Sequence, residues 1–224
     1  MTHIKITFNQ LTMNKRPLIF ILVIVGIIFL VLLKDYTKGN GKNSATTISD
    51  KESNYYLTSP WVLERVDWFF IPLPEKWNVN NKEIEKGKAK YAEISKEVKM
   101  YDLKLKNFDL VCMYLDAKEG IYENWDLDKS ATSMANQILY NLKCKDISLT
   151  KLPPLDNRTE VNYSAISNCS PSNYKARIRG IRSDSHVLFV CAFFIDSDPN
   201  LETIAEKILG GIENKYPDVA NVKN

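Results

Sequence analysis

The chain has 224 residues, 45% of them hydrophobic, with 30 Lys and Arg against 27 Asp and Glu. Residues 1–33 hold three of the bases and no acid, so residues 34–224 carry 27 charges of each sign. A charge-balanced remainder offers no electrostatic footprint for nucleic acid, and no nucleic-acid partner is expected.

Taken in chain order, the first feature is a run of 16 apolar or small uncharged residues, Leu18 to Leu33, directly behind Lys15, Arg16 and Pro17. As a helix it spans about 24 Å, short of a hydrocarbon core of roughly 30 Å, a mismatch that a thin membrane or the snorkelling of Lys15, Arg16 and Lys34 could cover. Leu33 is followed by Lys34-Asp35-Tyr36-Thr37-Lys38, which offers no small-x-small cleavage site, and no Cys follows closely. Residues 17–33 are therefore expected to be an uncleaved transmembrane signal anchor, the competing reading being a cleaved signal peptide of a secreted protein. The Lys15-Arg16 pair abuts the span, which places residues 1–16 in the cytoplasm and the C-terminal domain outside the cell membrane. Residues 34–60, rich in Gly, Asn, Ser and Thr, read as a flexible linker that holds a domain off the bilayer.

Residues 61–216 suit one domain with one core, followed by a C-terminal tail at 217–224. Val66-Asp67-Trp68-Phe69-Phe70-Ile71 reads as one aromatic strand stopped by Pro72-Leu73-Pro74. Ile84, Tyr91, Ile94 and Val98 fall at helical spacing over 81–97, with Gly87 weakening the helix, and a short strand over Val98–Leu105 is expected to follow. Phe108 to Leu115 is apolar on both parities, the pattern of a central strand covered on both faces. Leu127, Ala131, Met134, Ala135, Ile138 and Leu142 form a helical stripe, with Asp126 or Asp128 as N-cap. The second half reads as a meander. Ile147-Ser148-Leu149 starts it and Pro153-Pro154 interrupts it. Alternating strands follow around Val161–Ala165 and Tyr174–Ile178, then a turn at Ser183-Asp184-Ser185 and a doubly apolar strand from Val187 to Ile195. Asp198 caps a last helix with Pro199 at its first position, and Leu201, Ile204, Ala205, Ile208 and Ile212 supply its buried face.

The segment Phe69-Phe70-Ile71-Pro72-Leu73-Pro74-Glu75-Lys76-Trp77 resembles the opening strand, Pro, short turn and Trp of PsbP-like domains. That family includes the extrinsic photosystem II protein, a Ran-binding nuclear-transport protein and DcrB-type bacterial envelope proteins. The helix, antiparallel meander and closing helix match in order over residues 61–215. The resemblance implies an α+β fold, an antiparallel sheet packed with helices, behind the single transmembrane helix. It also implies a binding or assembly-accessory role with no shared catalytic site. The charged helix over 81–97 and the cysteines stand outside the family pattern.

The chain has two His, His3 and His186, and no C-x-x-C, H-E-x-x-H, Gly-x-Ser-x-Gly or Walker spacing, so no metal and no cofactor are expected. Ser133, beside Met134 on the helical stripe, is the only position that invites a Ser–Lys peptidase comparison, and no second motif supports it. His186 reads as an ordinary turn residue. Cys112, Cys144, Cys169 and Cys191 all fall on the extracytoplasmic side, where an even number of cysteines allows disulfides. Cys112 and Cys191 also suit small buried hydrophobes, while Cys144 at a helix end and Cys169 in a polar loop are positions able to meet. Lys175, Arg177 and Arg179 share one strand face, with Arg182 just beyond, either an anion-binding strip or a solvated face. Asn157, Asn162 and Asn168 begin N-x-[ST] triplets, which matter only in a eukaryotic secretory host. The resulting expectation is a non-enzymatic, membrane-anchored envelope domain with an unidentified protein or envelope partner, the alternative being an envelope hydrolase with a site assembled from distant residues.

Overall fold

The computed structural model describes residues 50–79, 81, 84, 85, 88, 92–141, 143–155, 159–168 and 172–214. The apolar run at 17–33 lies outside them, and among the described residues no helix is long and apolar enough to cross a membrane.

The fold is α+β with two antiparallel sheets. The larger has seven strands, β3 (Asn78–Val79), β4 (Ser95–Leu105), β5 (Phe108–Ala117), β6 (Lys145–Leu152), β7 (Thr159–Asn168), β8 (Tyr174–Ser183) and β9 (His186–Ile195). They lie in the order β3-β4-β5-β9-β8-β7-β6. The smaller sheet, ordered β1-β2-β10, joins β1 (Val62–Val66), β2 (Phe69–Leu73) and β10 (Glu213–Asn214). Among the described residues they are accompanied by α1 (Asp50–Thr58), α2 (Leu127–Asn141) and α3 (Pro199–Gly210).

The doubly apolar segments become the neighbouring inner strands β5 and β9, with β9 at the centre of the large sheet. Alternation along them builds two cores. On face A, Met113, Leu115, Phe189, Cys191 and Ile178 pack under Ala131, Met134, Ala135 and Leu139 of α2. On face B, Leu110, Cys112, Leu188 and Val190 meet Leu201, Ile204 and Ile208 of α3, together with Phe69, Ile71 and Leu73 of the small sheet. Successive residues point to opposite faces, so an all-apolar strand is what two covered faces require. Asp126 is the cap of α2, its Oδ1 accepting from the Lys129 N–H at 2.9 Å. Asp198 caps α3, with Pro at the start of that helix.

Three expectations change. The aromatic stretch at 66–71 is a hairpin turn and not one strand: Val66 pairs with Phe69 across Asp67-Trp68, and Asp67 adopts a φ of 53°. β2 then continues through Pro72 to Leu73. In a two-residue hairpin, alternate pairs point their N–H groups away from the partner strand, and Pro72, opposite Leu63, falls on such a pair, so the ladder loses nothing. The helix expected over 81–97 is shorter. Residues 81, 84, 85 and 88 are helical, residues 92–94 form a turn, and β4 starts at Ser95, so Val98 belongs to the sheet. Tyr91 lies outside the described residues. Finally, the segment read as linker contains α1. Its Ser53 is 3% exposed and accepts from Asn200 Nδ2 of α3 at 3.2 Å, while Trp61 Nε1 donates to the Tyr56 carbonyl at 2.8 Å. A nine-residue helix of such polar sequence is too short to stand alone and is held by these tertiary contacts.

Candidate functional site

The cysteines separate by parity. Cys112 pairs with Val190 and Val111 with Cys191, so Cys112 and Cys191 sit one residue out of step on adjacent strands. Their side chains enter opposite cores, and both are free and fully buried. Burial without compensating charge pushes both thiols well above their ordinary range, which leaves them inert. Cys144 is disulfide-bonded, and Cys169, the fourth cysteine, lies outside the described residues.

Lys175, Arg177 and Arg179 do share face B of β8, but α3 covers that face, so the row is not an open anion-binding strip. Lys175 Nζ lies 2.8 Å from Asp196 and 2.9 Å from Glu202, whose hydrogen bonds hold its ammonium above the usual lysine range. Arg177 meets Glu206 at 2.9 Å. Arg179 is 1% exposed, its Nε and Nη2 donating to Glu160 Oε2 at 2.9 and 2.5 Å and its Nη1 to the Leu209 carbonyl at 2.6 Å. Glu160 also accepts from the Leu155 N–H. Arg182 has the opposite parity and reaches the Trp125 carbonyl at 3.5 Å on the α2 side. Arg179 is buried together with its anion, while Lys175 and Arg177 pair with the partly exposed acids Asp196, Glu202 and Glu206.

The concentration of polar groups lies elsewhere, where the β1–β2 and β8–β9 turns meet the ends of β4 and β5. Tyr114, fully buried on β5, places its hydroxyl 2.8 Å from His186 Nδ1, with the two rings stacked at 5.9 Å. Trp68 from the β1–β2 turn stands 5.6 Å from the His186 ring. Lys99 lies 3.2 Å from Asp67 and 3.3 Å from Glu97, and 5.4 Å over the Tyr114 ring. Burial, and then the hydrogen bond to Asp67, push the Tyr114 hydroxyl above the ordinary phenol range. Burial alone would raise Asp67, but hydrogen bonds from Tyr114 and Lys99 outweigh it and hold the carboxyl below its usual value. Lys99 is raised for the reciprocal reason, Asp67 and Glu97 outweighing its burial.

The Tyr114 hydroxyl and His186 Nδ1 share a hydrogen bond whose donor is set by the imidazole tautomer. Asp116 Oδ1 lies 3.9 Å from the same nitrogen. Ser185 Oγ donates to Asp116 Oδ1 at 2.7 Å, so the hydroxyl is turned to a carboxylate and not to the imidazole. The arrangement fixes a largely buried cluster of aromatic and hydrogen-bonded groups. It lacks the serine-to-histidine hydrogen bond that acyl transfer requires. Among the described residues, no group of three or more His, Cys, Asp or Glu is placed to hold a metal ion.

Sequence reasoning passed over Asp67, Lys99, Tyr114 and Asp116, and treated His186 as an ordinary turn residue. The available signals were the lone hydroxyl of Tyr114 in an apolar run and the charge of Asp67 inside an aromatic one.

No protein-family model matches the chain, and no curated protein is similar to it in sequence. Among the solved structures similar in backbone arrangement are two that illustrate the match. The Ran-binding protein Mog1p of Saccharomyces cerevisiae is 5% identical with a TM-score of 0.43, the match covering 70% of this chain and 96% of Mog1p. PA94, a Pseudomonas aeruginosa protein of unknown function, is 11% identical with a TM-score of 0.34, over 67% of this chain and 94% of its own. Neither likeness bears on what the chain does.

Proposed function

We propose that this is a single-pass membrane protein whose extracytoplasmic domain, of PsbP-like architecture, binds a partner in the cell envelope or assists assembly there. Residues 17–33 are the anchor in this reading, and residues 1–16 stay in the cytoplasm. The observation that carries the location is a disulfide-bonded Cys144 in a domain that follows a sixteen-residue apolar run. Disulfides persist in oxidising compartments and are rare in the cytosol. Binding is favoured over hydrolysis because Ser185 and His186 are each engaged by other groups, Asp116 and Tyr114. The PsbP-like architecture is supported by the element order and by Trp77, which follows the Pro-containing strand and stacks on Tyr101 at 4.6 Å.

The test is protease accessibility of a C-terminal tag on the full chain, in intact cells and in inverted membrane vesicles. The expected result is a chain that resists carbonate extraction, keeps its N-terminal residues by intact mass, and loses its tag only from the outside. A tag protected in intact cells but exposed in inverted vesicles overturns the orientation, and a chain lacking residues 1–33 overturns the anchor. Crosslinking in native membranes then identifies the partner.

A further inference from the structure

Only residues 34–49 separate the apolar run from α1, and α1 leads within three residues into β1. The chain thus enters the domain in the layer over face B, opposite the layer that holds α2. A flexible sequence of sixteen residues has a root-mean-square span of about 20–24 Å and a full extension of about 53–58 Å. A globular domain of this size is roughly 40 Å across. The face at which the chain enters is therefore held on average nearer the bilayer than the α2 face.

The outer side of the small sheet sets Leu63, Phe70 and Pro72 beside one charge of each sign, Arg65 and Glu213. Alternation along β1 buries Val66 and leaves Leu63 52% exposed. The register sets Leu63 against Pro72 and Arg65 against Phe70, with the Arg65 guanidinium 6.0 Å over the Phe70 ring. Phe70 and Pro72 are half-buried, and Tyr55 on the preceding helix is 60% exposed. β10 sets Glu213 beside Phe70, so the patch is not a basic surface seeking anionic lipid. Its chemistry suits the membrane interface, where amphipathic aromatic and aliphatic groups insert among headgroups.

We propose that this face, Leu63, Phe70 and Pro72 of the small sheet with Tyr55 of α1, rests on the headgroup zone of the bilayer that carries the chain's own anchor. The proposal rests on the anchored reading above. It reverses the expectation that the segment after the span holds the domain off the surface. Tethering makes the contact intramolecular at roughly millimolar effective concentration, so a contact of about millimolar intrinsic Kd is already half occupied.

The experiment uses the full chain in phosphatidylcholine nanodiscs, spin-labelled separately at Leu63→Cys, Tyr55→Cys and Tyr140→Cys. Tyr140 is 74% exposed on α2 and serves as the distal site. The buried thiols of Cys112 and Cys191 do not compete for label. With a paramagnetic chelate on the lipid headgroups, the labels at 63 and 55 should relax several-fold faster than the label at 140. Adding phosphatidylglycerol should leave the ratio unchanged, and Leu63→Asp should lower the enhancement at Tyr55→Cys. Equal relaxation at all three sites in chain that has entered the nanodisc overturns the seating alone. An enhancement that appears only with phosphatidylglycerol overturns its apolar basis. Chain recovered free of nanodiscs instead refutes the anchored reading.

Discussion

Replacing Arg179 by Met takes away the guanidinium that pairs with Glu160, a carboxylate whose side-chain exposure is 0%. It also removes the donor to the Leu209 carbonyl, which fastens the last turn of α3 to the sheet. Breaking a buried ion pair by removing one partner costs about 3–5 kcal/mol. In a domain of this size each kcal/mol lowers Tm by about 2–4 °C, so Arg179→Met should fall by roughly 6–20 °C. Glu160→Leu alone should do comparable harm by stranding the guanidinium. The double variant Arg179→Met with Glu160→Leu removes both charges and should recover most of the loss, because the pair's own attraction barely exceeds its desolvation cost. Thermal unfolding of the full chain in detergent, followed by circular dichroism, reads all three. Single variants within about 1 °C of the parent would refute the assignment of Arg179 as an internal strut. So would a double variant as unstable as the sum of the two singles, since independent sites add and a pair does not.

The glycines at the end of α3 make a paired test. A Cβ on Gly211 would stand 2.5 Å from Pro72 Cγ and 2.9 Å from the Lys207 carbonyl, whereas one on Gly210 meets nothing within 4 Å. Gly211→Ala should cost about 1–3 kcal/mol in urea unfolding, and Gly210→Ala should be neutral or stabilising by up to about 1 kcal/mol. Tyr163 donates to Asp128 at 2.5 Å, and burial followed by that carboxylate pushes its hydroxyl up to about 12. The folded state then holds the proton more tightly than the unfolded chain, so this contribution is complete below about pH 10 and is lost as pH rises through about 12. Tyr163→Phe should flatten that alkaline limb of a stability–pH profile, and an unchanged limb would count against the bond. Non-reducing peptide mapping of the folded chain should return one cross-linked pair containing Cys144, with Cys112 and Cys191 alkylated only after denaturation; a 112–191 cross-link would contradict the parity argument.

Much of the sheet is legible in the sequence because its strands are short statements of burial. Phe108–Leu115 and Val187–Ile195 carry apolar residues on both parities, and only inner strands covered on both faces use that pattern. Helix caps are equally local, which is why Asp126 and Asp198 mark the starts of α2 and α3. The turn at Asp67-Trp68 is harder to see, because a positive φ at Asp67 is a backbone property hidden inside a run of β-prone aromatics. α1 is harder still. Its polar sequence carries little periodicity, and its order comes from partners as distant as Asn200.

The basic row on β8 shows where periodicity stops and packing takes over. Alternation correctly places Lys175, Arg177 and Arg179 on one face, but says nothing about what covers them. The answer lies in a second periodicity, on α3. Two residues along a strand advance about 6.6–6.8 Å, and four residues along a helix about 6 Å. Glu202 and Glu206, four apart, therefore meet Lys175 and Arg177, two apart, nearly in step. One further step along both elements brings Arg179 to the end of the helix, where the Leu209 carbonyl and Glu160 take the place of a third helical carboxylate. A row of bases at strand spacing and a row of acids at helix spacing are each ambiguous alone. Their matched repeat is what distinguishes a covered charge ladder from a binding strip.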